Sequence, residues 1–390
     1  MKADVYKKGV LAATLTRENG VNTFEYLPEY LAGDGPAVAT TLPKTETPQQ
    51  YGSGAVPPFF AGLLPEGNQL RALKKAIKAS LDDEFTLLLA VGQDTKGDVQ
   101  VVPAGSRPQN VRAIVEQADI DLSQTSISEL IAAADYDRVA LPGEQGRWSL
   151  RYANPWYPEP TSTRIVKIDP PGQPHAVANE VACMRLADRA GLHVNSTSLE
   201  QDRDGLEVLI CSRADRASQR RQAMEDATQV MGLWPADKYG PTYEEVALNL
   251  VEHVAAKPAA RMEIFRQVAF AWLIGSDQLH AKNLSIVESS GTGEWLVGPI
   301  SDIKSKLVDG ETPMALSVAG QQLGINRRTM LSFADGIGLP RKAAEVALDS
   351  LLLKTARPLT DTALLRRRYG KSQLRDWQTR LDRRRRELSA

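Results

Sequence analysis

The chain opens on alternation. Between Val5 and Leu31 apolar and polar positions take turns, and "GVLAATLTR" and "NTFEYL" are split by "ENG". That pattern predicts a β-hairpin closed by a glycine turn. After the proline-rich, extended "VPPFF" the period lengthens. In "LPEGNQLRALKKAIKA", Leu70, Leu73 and Ile77 fall on one stripe of a helix. "EFTLLLAVGQDTKGDVQVVPAG" reads as a helix, a glycine turn and a short strand. Together these predict an N-terminal α+β domain over residues 1–105.

Residues 106–135 are polar and read as a linker with one helix, "SISELIAAAD". Strand patterns return in "YDRVALPGEQGRWSLRYA" and "TRIVKID", and again in the buried-looking "GLEVLICSRADR". Between them "VANEVACMRLADRAGL" predicts an amphipathic helix. Val181, Met184, Leu186 and Ala187 face inward, and Gly191 supplies the stop. This is a β-rich lobe over 106–225. From 226 to 390 helices dominate. "TYEEVALNLVEHVA" is one, and "ARMEIFRQVAFAWLIGSD" is apolar on almost every side, as a central buried helix would be. "NLSIVES" and "EWLVGPISDI" predict two short strands, and residues 340–390 an arginine-rich helical end.

Composition narrows the function classes only a little. Hydrophobic content of 42%, charged content of 24% and a net charge of −1 describe an ordinary globular chain. Overall charge therefore points to neither nucleic acid nor membrane. Two cysteines, Cys183 and Cys211, exclude a disulfide framework and a cysteine-based zinc set, which suits a reducing cytoplasm. No run of about 18 apolar residues predicts a membrane span. From Arg366 to Ala390 ten Lys/Arg face three Asp/Glu. Such a stretch reads either as a DNA-phosphate contact or as a helix face matched to acids within the chain. Phe59, Phe60, Leu63 and Leu64 read either as core or as a docking patch.

Five features carry possible chemistry. The glycine turn in "ALPGEQGRWSL" can point backbone N–H groups at phosphate oxygens, although by itself it is equally a plain hairpin turn. Lys167, between apolar strand positions, needs an anionic partner if it faces inward. Glu180, early in the next helix, could be that partner or could simply suit the helix dipole. "WLIGSDQLHAKNLSI" then packs Asp277, Gln278, His280, Lys282 and Asn283 into seven positions between apolar runs. His280 has no Cys or His partner at zinc spacing, so it reads as an orienting group. Asp302 follows Asn283 by 19 positions. One amide oxygen and one carboxylate make a sparse set that suits Mg²⁺, which keeps waters and takes substrate phosphates. The order of these parts is the order in which a kinase uses them.

On these residues the chain resembles the HipA-type serine/threonine kinase toxins of bacterial toxin–antitoxin modules. "VPPFFAGLLPEGNQLR" is similar to the family's N-terminal signature, and "LPGEQGRWSL" to its nucleotide loop. "NEVACMRLADRAGL" is similar to its post-lysine helix, "ICSRADR" to its hinge strand and "IGSDQLHAKNLSI" to its catalytic loop. The resemblance implies an α+β architecture: a two-lobed kinase-like fold with an N-terminal β-rich domain and a largely helical C-terminal lobe. It implies ATP and Mg²⁺, a small helix-turn-helix antitoxin, operator DNA contacted mainly through that antitoxin, and an aminoacyl-tRNA synthetase as protein substrate.

Carried onto this sequence, the resemblance assigns Pro142, Gly143, Glu144, Gln145, Gly146 and Arg147 to the phosphates. Lys167 would contact them and Glu180 would brace it. Cys211, Ser212 and Ala214 would lie beside the adenine. Lys282 would steady the γ-phosphate, and Asn283 and Asp302 would ligate magnesium. Two departures stand out. The family's loop reads Asp-x-His-x-Lys-Asn, and here the acid's place two residues before His280 is taken by Gln278, with Asp277 one residue early. Glutamine cannot accept and keep a proton. The chain then reads as catalytically impaired, either as a natural pseudokinase or through a substitution that silences the enzyme. Ala140 stands where the family often carries a self-phosphorylated serine, and Ser149 is nearby but off register.

Overall fold

The structure, a computed structural model, describes residues 1–52, 54–80, 82–109, 115–117, 122–134, 136–141, 147–152, 164–217 and 220–390. The chain divides into two compact units: Met1–Pro170 with Glu200–Pro235, and Pro171–Leu199 with Ala236–Ala390.

The first unit begins with five strands: β1 (Lys2–Lys7), β2 (Val10–Glu18), β3 (Val21–Tyr26), β4 (Gln49–Tyr51) and β5 (Val99–Pro103), in the order β4-β3-β2-β1-β5. The predicted hairpin is β2–β3. Its turn places Asn19 and Gly20 at φ 50° and 78°, the left-handed pair that a two-residue hairpin turn needs. Helices Gly67–Ile77 and Glu84–Val91 supply further apolar residues to this part of the unit. Leu15, Phe24, Phe60, Phe85 and Val101 form its core, with Leu70 and Ile77 packed against it. Phe59, Phe60, Leu63 and Leu64 are buried in that core, so the docking-patch reading falls away.

A second sheet follows: β6 (Val115–Gln117), β7 (Arg147–Tyr152), β8 (Arg164–Ile168), β9 (Thr197–Gln201) and β10 (Glu207–Ser212), in the order β6-β7-β8-β10-β9. After β10 the charged "SRADR" turns into the protein rather than out of it. Arg216 donates to Asp94 and Asp215 at 2.7 and 2.6 Å, Arg213 donates to Asp215 at 2.8 Å, and Arg221 to Asp94 at 2.8 Å. The carbonyl of Thr95 accepts from Arg213, Arg216 and Arg221. Burial raises the Asp94 and Asp215 carboxyls, but the surrounding guanidinium groups outweigh it and hold both below the usual range.

The second unit is built on the helix Lys257–Ile274, buried along most of its second half as its all-round apolar sequence predicts. Around it lie helices Ala176–Arg189, Tyr243–Glu252, Arg327–Gly336, Arg341–Lys354 and Lys371–Ser389. Tyr243–Glu252 starts with a reciprocal capping box between Thr242 and Glu245. The strand expected through "EWLVGPISDI" stops at Val297: Gly298 N–H still reaches the Ser285 carbonyl at 2.7 Å, but Ile300 bonds to His193 and Asn195 instead of the hairpin.

The basic C-terminal stretch is largely matched within the unit. Arg384 is 1% exposed, lies 3.8 Å over the Trp272 ring and donates to Glu311. Arg383 also donates to Glu311, and Arg385 to the carbonyl of Thr355. Among the described residues no helix is long and apolar enough to cross a membrane.

Candidate functional site

Strand pairing decides what shares a face with Lys167. Arg147 lies opposite Lys167 across β7–β8, and Leu209 lies opposite it across β8–β10. Two residues along, Ser149, Ile165 and Cys211 are matched in the same way. Directly paired residues project to one side, and side chains alternate along a strand. Arg147, Lys167, Leu209, Ser149, Ile165 and Cys211 therefore share a face. Val166, Val208 and Ile210 point the other way, into an apolar cluster with Leu122 and Ile127. Lys167 is 2% exposed, so this lysine faces inward.

Pro142, Gly143, Glu144, Gln145 and Gly146 lie outside the described residues. The segments on either side are tied together. The Asp137 carboxylate accepts from the backbone N–H groups of Val139 and Ser149 at 2.9 and 2.7 Å, and from the Ser149 hydroxyl at 2.9 Å. Burial pushes the Asp137 carboxyl up to about 6, against those hydrogen bonds. Ser149, off register in the sequence, is thus a partner of Asp137. Ala140 is buried, and its N–H donates to the carbonyl of Asp94 at 2.8 Å. Gln69 donates to the carbonyl of Arg147. Beyond β8 the Cys211 thiol donates to the carbonyl of Ser212 at 3.3 Å; Ser212 and Ala214 are half-buried, while Arg213 and Asp215 alternate inward.

In the second unit the loop "GSDQLHAKN" is launched by a glycine. Gly275 ends the central helix at φ 66°, with its N–H on the Trp272 carbonyl and that of Ser276 on Ala271. A Cβ on Gly275 would sit 2.2 Å from Leu307 Cγ, so both the turn and the packing demand glycine. The loop then bonds to itself. Gln278 N–H meets Ser276 Oγ at 3.2 Å, His280 N–H meets the Gln278 carbonyl at 2.9 Å, and Asn283 N–H meets the His280 carbonyl at 2.8 Å. The Tyr243 hydroxyl donates to the Leu279 carbonyl at 2.9 Å, and the Ala281 N–H to the Lys238 carbonyl at 3.1 Å.

Side chains follow from this backbone. Asn283 Nδ2 donates to the Gln278 carbonyl at 2.7 Å, which orients the amide and leaves Oδ1 as its remaining acceptor. Gln278 Nε2 donates to Asp277 Oδ1 at 2.6 Å. The His280 ring lies edge-on to Tyr239, 5.2 Å between centroids. His280 and Lys282 are buried.

Asp302 is 2% exposed and sits in an irregular segment pinned on both sides. Before it, Ile300 N–H donates to the His193 carbonyl and Asn195 N–H to the Ile300 carbonyl, both at 2.9 Å. After it, Asn179 Nδ2 donates to the Ser305 carbonyl at 2.8 Å, and Ser305 N–H returns to Asn179 Oδ1 at 3.0 Å. Lys306 N–H donates to the Gly275 carbonyl at 2.8 Å. Glu180, the residue after Asn179, is 1% exposed. The helix of Glu180, the segment of Asp302 and the launch point of the loop are thus joined within one unit. Sequence reasoning missed Asn179, Ser305, Tyr239 and Tyr243. Asn179 carried one signal, a short polar residue at an otherwise apolar helix position; Ser305 carried none.

The donor set suits the groups the sequence implies. Among the described residues no cluster of three or more His, Cys, Asp or Glu could hold a metal. One amide oxygen from Asn283 and one carboxylate from Asp302 would leave most of an octahedral shell to water and phosphate, a sparse protein set of the kind magnesium takes. A zinc or calcium cage would need more protein ligands.

Residues 139–357 match the HipA-like C-terminal domain, and residues 3–102 the HipA N-terminal domain. The chain belongs to the HipA family. This HipA-family chain is 26% identical over 324 residues to the serine/threonine-protein kinase toxin HipA of Shewanella oneidensis, covering 74% of this chain and 73% of that protein. It is 27% identical over 357 residues to the "Putative kinase Y4mE" of Sinorhizobium fredii, covering 84% of each. The solved Shewanella oneidensis HipA, in complex with HipB and operator DNA, shares its fold at a TM-score of 0.79 and 21% identity, over 99% of this chain and 97% of that one. The fold is therefore the kinase-like HipA fold, and the chain is a kinase-like toxin by family.

Proposed function

We propose that this HipA-family chain is built to bind ATP with magnesium and to pass the γ-phosphate to a serine or threonine of a protein. An aminoacyl-tRNA synthetase is the substrate class we favour, with arrest of translation as the outcome. A small helix-turn-helix antitoxin would neutralise it in the bacterial cytoplasm, and operator DNA would be met mainly through that antitoxin. Pro142–Gly146 and Arg147 would take the phosphates with Lys167, Glu180 would brace the lysine, and Cys211, Ser212 and Ala214 would border the base. Asn283 and Asp302 would hold magnesium, which supplies charge neutralisation at the phosphates. Lys282 would steady the transferred group, and His280 orients the loop.

The observation that carries this reading is the Asn283 amide, tied by Nδ2 to the Gln278 carbonyl so that its oxygen is left for a cation, in the same unit as the buried carboxylate of Asp302. Gln278 stands where the proton acceptor belongs. Its amide cannot take the hydroxyl proton, so transfer by this chain is impaired. General-base assistance is worth about 10²–10⁴-fold. Gln278→Asp should raise ATP-dependent phosphate incorporation into protein by that order and arrest growth on expression.

One observation favours a second reading, a non-catalytic module that binds nucleotide, antitoxin and operator DNA. Gln278, at the base position, donates to Asp277 beside it, so the nearest carboxylate is engaged by the residue that replaces the base. If Gln278→Asp binds ATP and magnesium but transfers no phosphate, this second reading holds and the kinase reading fails.

A further inference from the structure

The C-terminal helix Lys371–Ser389 meets the segment after Asp302 at successive points. Trp377 Nε1–H donates to the Ser305 hydroxyl at 2.9 Å. Arg380 donates to the Leu307 carbonyl at 2.8 Å. Arg384 donates to Glu311 Oε1 from Nε and an Nη, at 3.0 and 2.7 Å, and also to the Thr312 carbonyl. Positions 377, 380 and 384 form one stripe of a helix. The residues they hold, 305, 307, 311 and 312, run in order along a stretch with little regular structure of its own. Arg384 reaches a second element as well: it donates to the Trp272 carbonyl at 2.9 Å, three residues before Gly275 launches the Asn283 loop.

We propose that the helix Lys371–Ser389 is a splint for the metal-binding segment, with Trp377, Arg380 and Arg384 as positioning residues that aim Asp302 relative to the Asn283 loop. The inference rests on the reading of Asp302 and Asn283 as magnesium ligands. Its physical basis is directional. Hydrophobic packing holds a segment near a helix but leaves it free to slide, whereas N–H donors on successive acceptors set its register. Ser305 shows the density of this control: its N–H and carbonyl are both held by Asn179 and its hydroxyl by Trp377. A carboxylate three residues away inherits that register. Metal ligands depend on such outer supports, whose loss costs about 10–100-fold in affinity.

The test uses the full chain with Trp377→Phe, which keeps an aromatic ring in the core and deletes the N–H donor together with part of the indole's bulk. Arg384→Met, which keeps the bulk of the stem, serves as the second variant. Hydrogen exchange read by mass spectrometry should show amides in 303–312 exchanging roughly tenfold faster, with the central helix unchanged. The magnesium concentration that half-saturates ATP binding should rise about tenfold or more, while metal-free ATP affinity stays put. Exchange that is unchanged, or faster throughout the unit, overturns the splint. Local loosening with an unchanged magnesium requirement overturns the aiming of Asp302. If the unaltered chain binds no ATP, the kinase reading falls; the exchange result still decides whether the helix splints the segment.

Discussion

Asn179 and Ser305 hold each other through both backbone groups of the serine, at 2.8 and 3.0 Å, in a buried site. The contact spans 126 residues of sequence and joins the residue before Glu180 to the third residue after Asp302. Asn179→Ala would strand a buried N–H and a buried carbonyl, each costing about 1–3 kcal/mol. The variant should lose about 2–6 kcal/mol in urea unfolding. Asn179→Asp keeps the acceptor but turns a buried carboxylate oxygen toward the Ser305 carbonyl, so it should lose at least as much as Asn179→Ala. Equal stability of Asn179→Ala and the parent would mean that water replaces the amide fully.

Gly275→Ala places a methyl group on Leu307 and forces a side chain into the left-handed region. The backbone term is about 1 kcal/mol and the overpacking term about 1–3 kcal/mol. A loss of about 2–4 kcal/mol is expected, together with weaker magnesium-dependent nucleotide binding because the loop start shifts. Leu307→Ala, itself a cavity-forming change, should cost less in the Gly275→Ala background than in the parent. A double variant no better than the sum of the two single changes would rule out this steric account.

Asp94 neutralises guanidinium groups that are almost fully buried, Arg213 and Arg216 among them. Asp94→Asn leaves Asp215 as the carboxylate bonded to Arg213 and Arg216, with Asp137 also acting on Arg213. Breaking a buried pair by removing one partner costs about 3–5 kcal/mol. Since the arginines hold Asp94 and Asp215 below the usual carboxylate range, the stability they contribute is present above about pH 4 and is lost as pH falls further, through their folded values. Acid unfolding of the parent should therefore steepen below about pH 4, and less so in Asp94→Asn. Parallel acid-unfolding curves would remove the cluster from the explanation.

Asp137 behaves in the opposite sense. Its carboxyl is pushed up to about 6 by burial, so the folded chain binds the proton more tightly than the unfolded chain. Its contribution is fully present below about pH 4 and declines as pH rises through about 6, by at most about 3 kcal/mol. Asp137→Asn cannot titrate. The stability gap between parent and variant should therefore shift in the variant's favour from pH 4 to pH 7, read from thermal melts at both. A gap that does not move with pH would show that the carboxylate is solvated.

Local rules made much of this protein legible. The Asn19–Gly20 turn, the Leu70–Leu73–Ile77 stripe and the apolar central helix follow from period and turn chemistry, which involve residues a few positions apart. The helix Ala176–Arg189 was legible only in part. Val181, Met184, Leu186 and Ala187 are buried as its pattern predicts, yet Asn179 and Glu180 are buried too, and no local pattern marks a polar residue for burial. The arginine run near the end carried an ambiguity that the fold narrows at two of its residues. Arg384 and Arg385 look like a nucleic-acid stripe until Glu311 and the carbonyls of Trp272 and Thr355 are brought beside them.

What the sequence determined by itself is the main helices and hairpins, their glycine stops, and the order in which glycine turn, lysine, glutamate, amide and carboxylate occur, because these depend on spacing along the chain. Tertiary structure alone decided which polar groups are withdrawn from water and what holds them: Asn179 on Ser305, Trp377 on Ser305, Asp137 on Ser149. The cost of burying a polar atom is met by whichever partner the fold brings within about 3 Å, and that partner can lie anywhere along the chain.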